Sequence, residues 1–268
     1  MAIYRELMLI NGNNEQWSLS DKEENSFATD LDGFGMSTTI STIRLGDMNY
    51  LSYSLNNLDS ISLTIYFYGG SIADLYGYYN QFQSFLAEGD LYLIYVVPDI
   101  GEFRRPVALS SIGKSEIRVD GLLECPIVFA TLGFWEDRAQ SSISIANNGT
   151  GTIVNNGNMP CPFKIETTGT LSSPKYTFSK SGNAYGVGQF TGSYKGMTVD
   201  TGEFAESIIL LNSSSAVVTN PYNYQNLSAG SGDEDITFFN IKIGTSSVAM
   251  SGVTGTTTIT WRNRYVSV

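Results

Sequence analysis

The 268-residue sequence contains no histidine. That excludes a Ser-His-Asp or Cys-His catalytic group and any histidine-based metal site. Cysteine is nearly absent too. Cys125 and Cys161, each followed by proline, allow at most one bridge. Both read better as small buried hydrophobes, and two thiols without histidine are too few for a zinc site. Basic residues are scarce, 15 Lys+Arg against 26 Asp+Glu, for a net charge of −11. Phosphate contacts need clustered Lys and Arg, so duplex nucleic acid bound on the outer surface and an anionic membrane are both disfavoured. A negative lumen that passes nucleic acid without holding it stays compatible with the balance. No apolar run approaches membrane-spanning length. Met1-Ala2-Ile3-Tyr4-Arg5-Glu6 lacks the basic start and apolar core of a secretory signal, so a cytoplasm is the expected place of folding.

The charge is unevenly spread. Residues 1–137 hold 19 Asp+Glu and 7 Lys+Arg, a net −12; residues 138–268 hold 7 and 8, a net +1. The acidic residues thin out at Asp137, and the sequence beyond is rich in Ser, Thr, Gly and Asn. This break predicts two domains, 1–137 and 138–268, a comfortable size for each. The 14 Phe, 16 Tyr and 3 Trp suffice for two packed interiors. With 27 Gly and only 15% charged residues, the composition favours short strands joined by tight turns.

Along the first half, Tyr4–Ile10 reads as a strand ended by Asn11-Gly12-Asn13-Asn14. Residues 20–35 are polar and acidic and read as a long loop. Strands are expected at Met36–Leu45, Tyr50–Leu55 and Ser60–Tyr68; in the last, Ile61, Leu63, Ile65 and Phe67 alternate with polar neighbours. Ser71–Glu88 is the one convincing helix. Ser71 caps it, Asp74 follows three residues on, and Gly89 ends it. Leu75, Tyr78, Tyr79, Phe82, Phe85 and Leu86 form its core-facing stripe. Further strands are expected at Leu91–Val97, Phe103–Ile112 and Leu122–Trp135.

In the second half, Ser141–Asn158 reads as a connector with one or two short strands. Strands then follow at Phe163–Thr168, Lys175–Ser179, Met197–Asp200, Ser207–Leu211, Ala216–Thr219, Ile236–Ile243, Ser247–Ser251 and Thr256–Val266. The spacing indicates a β-sandwich of jelly-roll type. The fold expected for the whole chain is mainly β, a β-sandwich or split-barrel-like domain with one α-helix followed by a second sandwich.

Candidate chemistry is sparse. Asp233-Glu234-Asp235 offers the paired carboxylates of a glycosidase, but follows Gly230-Ser231-Gly232 and reads as a solvated turn. Asp30 and Asp32 before Gly33 lack the remaining calcium-loop ligands. Gly33-Phe34-Gly35 and Gly186-x-Gly188 lack the rest of a dinucleotide fingerprint and read as turn glycines. Asn148-Gly149-Thr150, Asn212-Ser213-Ser214 and Asn226-Leu227-Ser228 match the glycosylation triplet by chance in so Asn/Ser/Thr-rich a chain. Tyr222, Tyr224 and Trp261 are the aromatics available for a sugar platform, with Trp261 better placed in a core. No catalytic residue, cofactor or metal ligand is assigned.

Several stretches together resemble the distal tail protein family of long-tailed, non-contractile phages that infect Gram-positive bacteria. They are Leu31-Asp32-Gly33-Phe34-Gly35-Met36, the strand-helix-strand of the first half and Leu132-Gly133-Phe134-Trp135-Glu136. In the second half they are Pro160-Cys161-Pro162-Phe163-Lys164-Ile165-Glu166, Ser172-Ser173-Pro174-Lys175-Tyr176-Thr177, Met197-Thr198-Val199-Asp200-Thr201 and Thr257-Thr258-Ile259-Thr260-Trp261-Arg262-Asn263-Arg264-Tyr265. Ser173 stands where the family often has Asn. The resemblance lies in the order of elements over nearly the whole chain rather than in one motif.

The resemblance implies an N-terminal domain that assembles into a hexameric ring continuing the tail tube, and a galectin-like C-terminal sandwich pointing outward. Its implied partners are other copies of the chain, the tail tube protein, a tail-tip protein and receptor-binding or baseplate proteins, in a virion assembled in the host cytoplasm. DNA passes through the lumen without specific binding. Sugar binding is not implied, because the galectin site needs a histidine. Gly33, Phe34, Gly35 and Met36 are the expected oligomer contacts, with apolar groups offsetting like-charge repulsion. Two rivals remain: a carbohydrate-binding module of an adhesion device, and, well behind it, a jelly-roll glycosidase.

Overall fold

The computed structural model describes residues 6–20, 25–35, 37–45, 48–57, 60–115, 121–202, 205–218, 227–228 and 238–268. The chain divides into two compact units, Met1–Arg138 with Tyr265–Val268, and Ala139–Arg264. A single cut at residue 137 would leave the last four residues in the second unit; they lie instead in the first. There the Tyr265 ring sits edge-on to Phe103 at 5.3 Å.

The first unit contains β1 (Glu6–Ile10), β2 (Gln16–Ser18), β3 (Ser26–Asp32), β4 (Ser37–Leu45), β5 (Met48–Asn57), β6 (Ile61–Tyr68), α1 (Ile72–Ala87), β7 (Leu91–Val97), β8 (Gly101–Ile112), β9 (Leu122–Thr131) and β10 (Trp135–Asp137). Its main antiparallel sheet runs β2-β1-β7-β8-β9-β6-β3, with β10 added on β8. The two edge strands meet. Ala28 N donates to Leu19 O at 2.8 Å, and Trp17 Nε1 donates to Ser26 Oγ at 3.1 Å. The sheet thereby curls toward a barrel and satisfies backbone groups that an open edge would leave bare.

The alternation predicted for β6 is observed: Ile61, Leu63, Ile65 and Phe67 are buried and the residues between them half-buried. Ser71 Oγ accepts from Asp74 N at 3.2 Å, capping α1. Leu75, Tyr79, Phe82, Phe85 and Leu86 are its buried residues. Trp17 lies 5.1 Å from Phe82 and 5.8 Å from Phe85, and Phe67 lies 5.7 Å from Phe82. Each such ring contributes about 1.5–3 kcal/mol of hydrophobic burial. Gly89, at φ +67°, ends the helix region as expected.

Two expectations need correction. The stretch 20–35 is not all loop, since Ser26–Asp32 forms β3 on β6. Its polar composition concealed it, because an outer strand buries little, and the register breaks between Thr29 and Asp32 around Asp30 at φ +54°. The predicted strand Leu122–Trp135 is two strands, broken after Thr131 so that Trp135 enters the core.

The second unit contains β11 (Ser141–Ala146), β12 (Thr150–Asn155), β13 (Phe163–Lys180), β14 (Asn183–Gln189), β15 (Ser193–Asp200), β16 (Ser207–Leu211), β17 (Val217–Val218), β18 (Leu227–Ser228) and β19 (Gly244–Trp261); β20 (Arg264–Tyr265) follows it. The sheet order is β11-β19-β13-β15-β16-β17, with β12 on β19, β14 on β13 and β18 on β14. Strands β13 and β19, 18 residues each, pair along most of their lengths. They also fold over. Phe163 and Phe178 sit near opposite ends of β13, about 50 Å apart if it were straight. Their rings are 4.7 Å apart. One bent pair therefore supplies both layers of a sandwich.

The bend explains the sequence-level errors. Phe163–Thr168 and Lys175–Ser179, expected as separate strands, are halves of β13. Ser247–Ser251 lies within β19, and Thr256–Val266 corresponds to its far half with β20. Gly169 (φ +129°) and Gly255 (φ +154°) are cross-strand partners at the bend. A Cβ on Gly169 would sit 2.3 Å from Thr254 O, and one on Gly255 would sit 2.0 Å from Thr168 O. The stretch 141–158 does hold two short strands, but as members of the sheet rather than a connector: β11 and β12 both pair with β19. Of the expected strand Ile236–Ile243, the described part makes only an isolated bridge, Ile241 with Cys161. Strand β14 was not foreseen, because Gly186 and Gly188 read as turn residues. Both cysteines are buried thiols outside any disulfide, as expected.

Candidate assembly surface

The segment singled out for subunit contact, Gly33 to Met36, connects β3 to β4. Gly33 has φ +87°, and a Cβ there would lie 2.0 Å from Ser60 O, so only glycine fits. Its N–H donates to Asp32 Oδ1 at 2.8 Å. Phe34 turns inward. Its ring is edge-on to Tyr95 at 5.2 Å and stacked on Trp135 at 5.5 Å. Arg105, 2% exposed, donates through Nε to Gly133 O at 2.9 Å and through Nη1 to Gly33 O at 3.5 Å, with its guanidinium over Trp135. Phe34 is thus an anchor inside the first unit rather than a group offered outward. Gly35 is exposed, and a Cβ there would meet nothing within 4 Å. Met36 lies outside the described residues.

Beyond this anchor the chain makes β4 and β5. They pair antiparallel from Ser37↔Asn57 to Leu45↔Met48, with a register shift between Ser41 and Thr42. Among the described residues this two-stranded sheet pairs with no other strand. An isolated two-stranded hairpin is marginal in water, and its outer edges carry backbone donors and acceptors without a ladder partner. Sequence reasoning found both strands but missed their detachment. A signal was present: residues 37–57 contain only two charged residues, Arg44 and Asp47, in a half-chain of net −12.

The other candidates disperse. Asp233-Glu234-Asp235, Tyr222, Tyr224 and Asn226 lie outside the described residues. Trp261 is buried and donates Nε1 to Val154 O at 3.3 Å. Gly186 and Gly188 are not turn glycines but lie within β14. Cβ atoms there would fall 2.2 Å from the Phe239 ring and 2.1 Å from the Tyr176 ring. Asn148 Oδ1 accepts from Val253 N and ties its turn to β19, while Asn212 Oδ1 accepts from Ser214 N and Ala216 N and shapes its own turn. Among the described residues no group of three acidic or thiol side chains is placed to hold a metal. No described helix is long and apolar enough to cross a membrane. A shallow groove of about 620 Å³ lies along β2 and the end of α1, lined by residues including Trp17, Asn80, Gln81 and Phe85. Burial pushes the Cys125 thiol up to about 12, opposed by Lys114, so it stays protonated and unreactive at neutral pH.

Residues 6–132 match the family model described as distal tail protein, N-terminal domain. The first unit thus carries a distal tail protein N-terminal domain, which makes up just under half of the chain. The fold of the whole chain is shared with solved structures at low identity. One is the SPP1 Dit protein, described as a paradigm of the hub adsorption apparatus in phages infecting Gram-positive bacteria. It is 9% identical with a TM-score of 0.69, covering 96% of this chain and 98% of that one. Another is a chain of the phage P2 baseplate in its activated conformation with calcium. It is 10% identical with a TM-score of 0.62, covering 99% of this chain and 100% of that one. No curated protein matches the sequence.

Proposed function

We propose that the chain is a non-catalytic virion subunit whose first unit closes into a hexameric ring between the tail tube and the tail-tip or host-adhesion apparatus. The second unit serves as a docking or spacing element for baseplate proteins. The observation that carries the ring is the β4–β5 hairpin, which is long, nearly uncharged and without a strand partner in its own chain among the described residues. Such an element is completed by another molecule. A ring needs each copy to present one surface and accept it on another, and six-fold repetition lets a modest contact suffice. The net −12 of residues 1–137 suits a lumen through which DNA slides, since like charges repel.

The test is the solution mass of the purified chain by light scattering, with negative-stain images of the same peak. A mass of six chains and a central hole are expected. A chain that is monomeric at every concentration overturns the ring reading. Replacing residues 37–57 with a short Gly/Ser turn is expected to yield monomers with intact far-UV circular dichroism.

A further inference from the structure

We infer that the outward face of α1 is the seat for the β4–β5 hairpin of a second copy of this chain. This deepens the ring reading and rests on it. While α1 buries its aromatic stripe, it leaves Ile72, Ala73, Tyr76, Asn80, Gln83 and Ser84 exposed. Ile72 is 65% exposed and Tyr76 37%. The outer face of a helix on a soluble domain is normally charged. Residues 71–87 contain one charged residue, Asp74.

Two elements of the first unit are therefore poor in charge, and among the described residues the hairpin pairs with no other strand. The stretches 37–57 and 71–87 together hold 3 of the 26 charged residues in residues 1–137. Two copies whose residues 1–137 each carry −12 repel over most of that surface, and meet at least electrostatic cost where carboxylates are scarce. The lengths also agree. Sixteen helical residues span about 24 Å, and nine or ten strand residues span about 30 Å. Lys114 lies against this face, with its Nζ 4.0 Å from the Tyr76 ring centroid. A hairpin laid on a helix joins two different surfaces, the heterologous contact that closes a ring.

The experiment places the photo-crosslinker p-benzoylphenylalanine at Tyr76 in the full chain and maps the products by mass spectrometry. Crosslinks to residues 37–57 of another copy are expected. Crosslinks elsewhere on a second copy, or only within one chain, overturn the inference. A second arm uses the triple variant Ile72→Glu, Tyr76→Glu, Ser84→Glu. At a concentration where the native chain forms rings, it is expected to be monomeric with unchanged far-UV circular dichroism. If the native chain and the variant both form rings, the helix contact is wrong and the ring reading survives. If the native chain never forms rings, the ring reading fails first.

Discussion

The first unit holds nearly all of the excess negative charge, and the second has almost none, yet both build dense aromatic cores. In the first, Trp17, Phe67, Phe82 and Phe85 meet between the sheet and α1. In the second, Phe163, Tyr176, Phe178 and Phe239 meet inside the bent strands. Charge therefore does not select the fold of either half. It decides what the surface can approach, while buried apolar area decides that each half folds. The units differ in how they cover a sheet: the first lays a helix on it, and the second folds the sheet back on itself.

The sharpest way to break this comparison is to remove one ring from each core. Phe82→Ala is expected to cost about 3–5 kcal/mol and Phe178→Ala a similar amount. Hydrogen exchange read by mass spectrometry on the intact chain should show faster exchange in Ile61–Val97 for the first and in Gly244–Trp261 for the second. If either substitution loosened both units equally, their separate cores would be fictions. The next effect belongs to the second unit. Gly188→Ala drives a methyl into the Tyr176 ring and is expected to cost about 1–3 kcal/mol in urea unfolding. Adding Tyr176→Leu should recover part of that loss, and strict additivity would refute the contact.

Among the described residues each core also keeps an unpartnered buried polar atom, Trp135 Nε1 in the first and the Tyr176 hydroxyl in the second. Tyr176→Phe removes the second and is expected to raise stability by up to about 1 kcal/mol, or leave it unchanged. A clear loss in thermal unfolding would reveal a partner for that hydroxyl.

Alkaline pH separates the units more gently. Cys125, raised by burial from 9.0 to about 12, holds its proton in the folded first unit across a range where the unfolded chain releases it. Its contribution is full below about 9 and is lost as pH rises toward 12. Urea midpoints at pH 8 and 10.5 should fall less for Cys125→Ala than for the native chain. The smallest effect is at Lys164, raised chiefly by its hydrogen bond to Glu166 at 2.7 Å. Its contribution is present below the ordinary lysine value and lost above it. Both side chains are more than a third exposed, so Lys164→Met should change stability by less than about 0.5 kcal/mol at pH 7.

The sequence by itself determined the charge division, the mainly β class, the capped helix over Ser71–Glu88 and the alternating strand Ser60–Tyr68. These follow from local periodicity and capping, which neighbours on the chain specify. Of the stretch expected to make subunit contacts, the sequence showed only its place in the chain. Gly33 to Met36 does lead into the detached hairpin, but nothing local tells that Phe34 packs on Trp135, 101 positions later, or that β4 and β5 leave the main sheet. Tertiary structure alone decided the rest. Strand β3 gains its backbone partners from β6, which its polar sequence could not announce. Four apparent strands became β13 and β19 because Gly169 and Gly255 let paired backbones bend together. Gly186 and Gly188 became strand residues because Phe239 and Tyr176 lie across them. In each case the deciding contact joins residues far apart in sequence, and only the folded chain brings them within reach.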